Sequence, residues 1–169
     1  MPMLDKNGLT EEEFLRGYNS DRYPKPSLTA DVVMLTRGQD MRVLLICRGG
    51  HPCIGMYAFP GGFAEASESI EQTAMRELRE ETGALCDRLT FLGTYIGSPA
   101  ILSEKIDIYL AEGLTFGETD FDEDEFIEIE RIPLATLLED AMEGRIMDGK
   151  TLFAVFKVNE ILRRREALK

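Results

Sequence analysis

The segment Ser69–Thr82 constrains this 169-residue chain more than any other, because it runs without glycine or proline between Gly62 and Gly83. Ala, Leu, Met, Glu, Gln and Arg predominate in it, so a helix is predicted there, with Gly83 ending it. At about 100° per residue, Ala74, Leu78, Thr82 and Met75 share one arc, whereas Glu77, Glu80 and Glu81 fall within roughly 100° of one another on the next. One arc is suited to packing and the other is acidic. Charge runs of this kind often mark only a solvated, ion-paired helix face. Three carboxylates this close nevertheless repel one another unless a counter-charge sits between them, and a hard divalent cation supplies one. Magnesium takes carboxylate and water oxygens and is commonly shared between one or two carboxylates and substrate phosphates. Just upstream, Phe59-Pro60-Gly61-Gly62 reads as a tight turn whose glycines let the backbone approach an ion or a phosphate closely.

The spacing around this helix is specific. Gly62, five residues, Glu68, seven residues and then Arg76-Glu77-Leu78-Arg79-Glu80-Glu81-Thr82-Gly83-Ala84 follow the pattern G-x5-E-x7-R-E-U-x-E-E-x-G-U, where U is bulky and apolar. The chain therefore resembles a Nudix hydrolase. Ala84 in the last apolar slot, and Ser67 where many members carry glycine, depart from the pattern without removing a charged group. The resemblance implies that the Gly61 carbonyl and the carboxylates of Glu77, Glu80 and Glu81 are metal ligands, for Mg2+ or alternatively Mn2+, with Glu80 and Glu81 at the centre of catalysis. It also implies that Gly62, Glu68 and Arg76 support the motif, Arg76 orienting the acidic side chains through an ion pair with Glu68. The chemistry implied is hydrolysis of a pyrophosphate within a nucleoside diphosphate linked to a further group. Metal ions there polarise phosphoryl oxygens and lower the pKa of the attacking water.

A separate base is expected outside the motif. Asp120-Phe121-Asp122-Glu123-Asp124-Glu125 is a second acidic run, which by composition alone reads as a solvated loop. The resemblance to ADP-ribose and ADP-sugar pyrophosphatases of the family implies instead a loop glutamate acting as general base or extra metal ligand, with Glu123 and Glu125 the candidates. Pro99 lies fifteen residues beyond Ala84, where ADP-ribose pyrophosphatases of the family carry a proline; as a bare residue it also suits a strand end. Ser103-Glu104-Lys105, Ile108-Tyr109-Leu110-Ala111 and Asp148-Gly149-Lys150-Thr151 follow in the order seen in ADP-sugar pyrophosphatases, although Ala100 replaces a common glycine. The expected substrate is a nucleoside diphosphate sugar, ADP-ribose first, giving AMP and ribose 5-phosphate. ADP-sugars, dinucleotides and oxidised nucleotides are alternatives, as is a non-catalytic sensor of such nucleotides. Arg48 suits phosphate oxygens and equally an exposed strand end. Tyr23 and Tyr57 suit stacking on adenine and equally ordinary packing. His51, the sole histidine, has no nucleophile motif beside it and is expected to make a local hydrogen bond or touch the substrate's edge.

The length and 44% hydrophobic content allow one substantial core. A net charge of −12 argues against a protein whose main task is gripping nucleic-acid backbone, since that takes Lys and Arg. No apolar run approaches the length of a membrane helix and the amino terminus lacks a secretory pattern, so a cytoplasmic location is expected. Cys47, Cys53 and Cys86 are odd in number and scattered, which fits reduced thiols.

Residues 1–27 read as an amino-terminal helix, opened by the capping box Thr10–Glu13, and an extended arm from Tyr18 to Pro26. Residues 28–169 read as the catalytic domain. Strands are predicted at Leu28–Thr36 and Met41–Arg48, joined as a hairpin by Arg37-Gly38-Gln39-Asp40, at Leu89–Ile96, at Ile106–Ala111, where Ile106, Ile108 and Leu110 alternate against Asp107 and Tyr109, and at Phe126–Ile132, with a loop over Gly49–Tyr57 and helices at Leu134–Glu143 and Leu152–Arg165. This order predicts an α+β fold, and the resemblance implies an α/β/α sandwich around a central mixed sheet. It further implies a homodimer in which Tyr18–Leu28 crosses to the partner.

Overall fold

The apolar run that follows Pro26 becomes β1, Leu28–Arg37, in which residues 29–35 are all buried. A strand buried without alternation needs cover on both faces, and β1 has it. Val33 and Leu35 enter one core with Val43, Leu45, Ile108 and Leu110, whereas Ala30, Val32 and Met34 enter a second with Leu44, Tyr109 and Ala111. The computed structural model describes residues 28–38, 40–48, 55–98, 104–117 and 128–169. The expected amino-terminal helix and arm, with Tyr23, lie outside these residues, as do His51, Cys53, Pro99, Ala100, Ser103 and the run Asp120–Glu125.

Strand β2, Met41–Cys47, returns antiparallel to β1 in register Arg37↔Met41 to Met34↔Leu44, so the expected hairpin is present. Beyond Met34 the two strands diverge. The fork between them holds β3, Tyr57–Ala58, paired to β2, and β4, Gly61–Phe63, paired to β1. Phe59 joins them, only 2% exposed, and the Val32 amide donates to the Pro60 carbonyl at 2.8 Å. At the mouth of the fork the Arg48 amide donates to the Met56 carbonyl (3.0 Å) and the Gly55 amide to the Arg48 carbonyl (2.8 Å). On the other edge of β1, β6, Lys105–Phe116, runs parallel from Leu28↔Lys105 to Leu35↔Glu112, and β5, Ala84–Tyr95, pairs antiparallel with β6. Strand β7, Glu128–Pro133, lies antiparallel on β2.

Helix α1, Ile70–Thr82, brings Ala74 and Leu78 into the second core, and α2, Leu134–Met142, and α3, Gly149–Ala167, cover the opposite face through Leu134, Leu137, Val155, Val158 and Leu162. The result is the expected α+β sandwich, a mixed sheet between helices. Among the described residues no helix is long and apolar enough to cross a membrane.

The differences from the sequence expectation have physical causes. Gly61 and Gly62 are strand residues and not a turn; their missing side chains serve close approach. A Cβ on Gly61 would strike the Ala30 carbonyl oxygen and lie 2.5 Å from Asp31 Oδ1. Strand β5 begins at Ala84, five residues before the expected Leu89, because β6 continues past Ala111 to Phe116 and offers Ala84 and Leu85 partners in Phe116 and Thr115. Tyr109 is 2% exposed, since the face of β6 opposite Ile108 is also covered. Helix α3 starts at Gly149 rather than Leu152, capped by the Asp148 side chain on the Thr151 amide at 3.0 Å. Cys47 and Cys86 are free thiols, both partly buried.

Candidate functional site

Helix α1 is fixed at both ends. Ser69 caps it in a reciprocal box, its hydroxyl accepting from the Gln72 amide (3.3 Å) while its own amide donates to Gln72 Oε1 (2.7 Å). Gly83 stops it in the left-handed conformation, φ 65°, with its amide on the Arg79 carbonyl. The S-x-x-Q signal for this start was legible in the sequence and went unused; Ser69 and Gln72 set where the acidic arc faces.

Arg76 is the hub of that arc. Its guanidinium donates to Glu68 at 2.9 and 3.2 Å, to Glu77 Oε1 at 2.8 Å, to Glu80 Oε2 at 2.9 Å and to the Phe63 carbonyl at 3.1 Å. The counter-charge that the acidic cluster needs is therefore provided in part by the protein itself. Glu68 also accepts from the Thr73 hydroxyl (2.8 Å) and the Glu65 amide (3.0 Å). The hydrogen bonds from Arg76, with that from the Glu65 amide, hold the Glu68 carboxyl down at about 2, and the bond to Glu68 in turn raises the Arg76 guanidinium. Thr73 is fully buried and was not legible as a site residue, because its role depends on Glu68 arriving from the preceding turn.

Two other carboxylates reach β4. The Gly61 amide donates to Glu81 Oε2 at 2.9 Å. A Cβ on Gly62 would stand 2.6 Å from Glu77 Cδ, so Glu77, 9% exposed, occupies the space the glycine leaves. The structure thus brings Gly61, Gly62, Glu68, Arg76, Glu77, Glu80 and Glu81 together where β4 lies beside the helix. Glu80 is the outermost, its side chain half exposed. Among the described residues no three His, Cys, Asp or Glu side chains stand in a ready-made metal cluster. The oxygen chemistry does suit a hard cation, and the two glycines leave a cradle that side chains would fill.

Arg48 and Tyr57 sit at the mouth of the β1–β2 fork, with Tyr57 52% exposed and opposite Cys47. Behind β4, Asp31 is 5% exposed and pairs in register with Gly61. Its carboxylate accepts from Lys150 Nζ at 2.5 Å; burial raises its pKa, and Lys150 opposes that rise. Sequence reasoning missed this pair, whose members stand 119 positions apart.

Residues 25–150 match the family model described as NUDIX domain. The chain is 39% identical over 112 residues to a methanol dehydrogenase activator of Bacillus methanolicus, covering 65% of this chain and 58% of that protein. It is 36% identical over 111 residues to an ADP-ribose pyrophosphatase of Bacillus subtilis (strain 168), covering 64% of this chain and 58% of that protein. The chain therefore spans under two thirds of the length of both relatives. In three dimensions it is similar to the NUDIX domain of Shewanella oneidensis NrtR in a cocrystal with ADP ribose, with a TM-score of 0.66, 26% identity, and coverage of 91% of this chain and 99% of that one.

Proposed function

Because this chain belongs to the Nudix family, we propose that it is a divalent-metal-dependent pyrophosphohydrolase that cleaves ADP-ribose to AMP and ribose 5-phosphate. The observation that carries the reading is the seating of Glu81 on the Gly61 amide beside Glu77 on Gly62. Since the Gly61 amide faces Glu81 and away from β1, strand geometry directs the Gly61 carbonyl to the same side. Gly61, Glu77, Glu80 and Glu81 would hold the metal, Mg2+ or Mn2+, which supplies charge for the phosphoryl oxygens and an acidified water.

The protein's own groups do the rest. Arg76 spaces Glu77 and Glu80 and locks Glu68 beneath them, so the carboxylates are set before substrate arrives. Glu123 or Glu125 takes the proton of the attacking water. Arg48 and Tyr57 contact phosphate and adenine at the mouth of the fork, with Tyr23 and Pro99 completing the substrate's surroundings. In this reading the enzyme works in the cytoplasm as a homodimer whose amino-terminal arms cross. ADP-ribose is favoured by the likeness to a named ADP-ribose pyrophosphatase and to a Nudix domain that binds ADP ribose. A second reading, a nucleotide-binding module that controls another protein, is favoured by the relative named as an activator.

The test is a panel of ADP-ribose, ADP-glucose, NADH, diadenosine polyphosphate and 8-oxo-dGTP, with and without Mg2+, read as released AMP or mononucleotide. Metal-dependent AMP release fastest from ADP-ribose is the expected result. Turnover of another panel member keeps the mechanism and replaces the substrate. Tight ADP-ribose binding without turnover of any member overturns the enzyme reading in favour of the second.

A further inference from the structure

The motif Asp148-Gly149-Lys150-Thr151 has no part in the chemistry above, yet the structure fixes each of its members. Asp148 caps α3 through the Thr151 amide (3.0 Å) and hydroxyl (2.6 Å). Gly149 lies directly against the Tyr95 hydroxyl, and the Tyr95 ring packs tilted against that of Phe153 one turn further along, centroids 6.4 Å apart. The first turn of α3 is thereby immobilised, and from it Lys150 reaches down to Asp31 at 2.5 Å. The Lys150 side chain is 26% exposed and that of Asp31 only 7%.

A largely buried ion pair is weak support for stability, because desolvating both charges offsets most of their attraction. Its value lies in fixing position, and what stands against it is the strand that carries the proposed metal ligands. Asp31 faces Gly61 across the β1–β4 pair, and the Asp31 carboxylate lies so near the Gly61 backbone that a Cβ there would be 2.5 Å from Oδ1. Gly61 in turn holds Glu81 through its amide at 2.9 Å. A continuous path therefore runs from Lys150 to Asp31, across the sheet edge to Gly61, and on to Glu81.

We infer that Lys150 and Asp31 are positioning residues for the cation site, clamping β4 from the face opposite α1 so that the Gly61 backbone and Glu81 keep one spacing. The inference rests on the proposed role of Gly61 and Glu81 as metal ligands. It assigns to the first turn of α3 a function in metal affinity and none in contact with the nucleotide.

The deciding measurement is Mn2+ affinity of the full chain by calorimetry or electron paramagnetic resonance, made without substrate. Lys150→Met should weaken Mn2+ binding by about tenfold, in the range for groups that support metal ligands, and Lys150→Arg should restore most of it. The double variant Asp31→Asn/Lys150→Met, which removes both charges of the pair, should show the same weakening while remaining folded. With ADP-ribose as substrate, the Mg2+ concentration for half-maximal rate should rise in parallel, with KM little changed at saturating metal. Unaltered Mn2+ affinity in both folded variants, with only Tm lowered, overturns the inference. Because the affinity is read without turnover, a wild-type protein that binds Mn2+ but hydrolyses nothing in the panel still decides it. A wild-type protein that binds no Mn2+ overturns this inference and the metal-site reading together.

Discussion

Two charge clusters in this molecule are near mirror images. At α1 one guanidinium, Arg76, is shared by three carboxylates, Glu68, Glu77 and Glu80. At the far end of β6 one carboxylate, Glu112, is shared by three guanidiniums: Arg165 at 2.8 Å, Arg88 at 3.3 Å and Arg37 at 3.4 Å. Each cluster carries excess charge of one sign, but the excess is housed differently. Arg37 and Arg88 are 57% and 59% exposed, so water screens their surplus. Glu68 and Glu77 are only 14% and 12% exposed and are held on a capped helix, so theirs is poorly screened. The basic cluster is complete as it stands, tying α3 to the sheet. In the acidic one, the carboxylates outnumber the cations among the partners described, and the proposed cation would balance them.

The sharpest way to break this contrast is Glu81→Gln. Turnover is expected to fall by at least about a hundredfold with Tm nearly unchanged, because the charge of a proposed metal ligand is lost and no packing. Near-normal rates would leave the acidic cluster as inert as the basic one. Next in size, Mg2+ at about a hundred times its Kd should raise Tm by about 5–10 °C in thermal melts, whereas sulfate should show no saturable effect through Glu112's arginines. Arg76→Gln should lower Tm by about 5 °C at pH 7 and weaken metal binding, since three carboxylates lose their shared donor. The Glu68 carboxyl is depressed to about 2 from an ordinary value near 4.5, so its contribution is present above about 4.5 and lost as pH falls toward 2. Melts between pH 6 and pH 3 should accordingly show a flatter acid limb for Glu68→Gln than for the wild type. The smallest effect is expected from Arg88→Ala, under about 0.5 kcal/mol by chemical denaturation and none on turnover.

What the sequence disclosed divides along similar lines. Features set by neighbours in the chain were legible: the span of α1, its glycine stop, the β1–β2 hairpin and the end of α2 beside Gly144. Features set by partners far away were not. Gly61-Gly62 looks the same in sequence whether it turns the chain or lets two strands and a carboxylate crowd together, and only the approach of Ala30, Asp31 and Glu77 decides which. The early start of β5 waited on the length of β6, and the Lys150–Asp31 pair on the docking of the last helix. In the candidate site, the spacing put the carboxylates on one side of a helix. The Arg76–Glu68 pair is expected from the resemblance; the direct bonds from Arg76 to Glu77 and Glu80, and Glu80 as the exposed member, are not.

The closed link between β2 and β3 at the mouth of the fork bears on how such a protein diversifies. Backbone bonds between Arg48, Gly55 and Met56 bring the two flanks of residues 49–54 to one spot. Doubling the segment's length should cost only about 0.6 kcal/mol in closure entropy. Under the proposed function, new recognition elements could thus be grafted there, beside Arg48 and Tyr57, away from the proposed metal ligands, which makes this knot a splice point for altering selectivity.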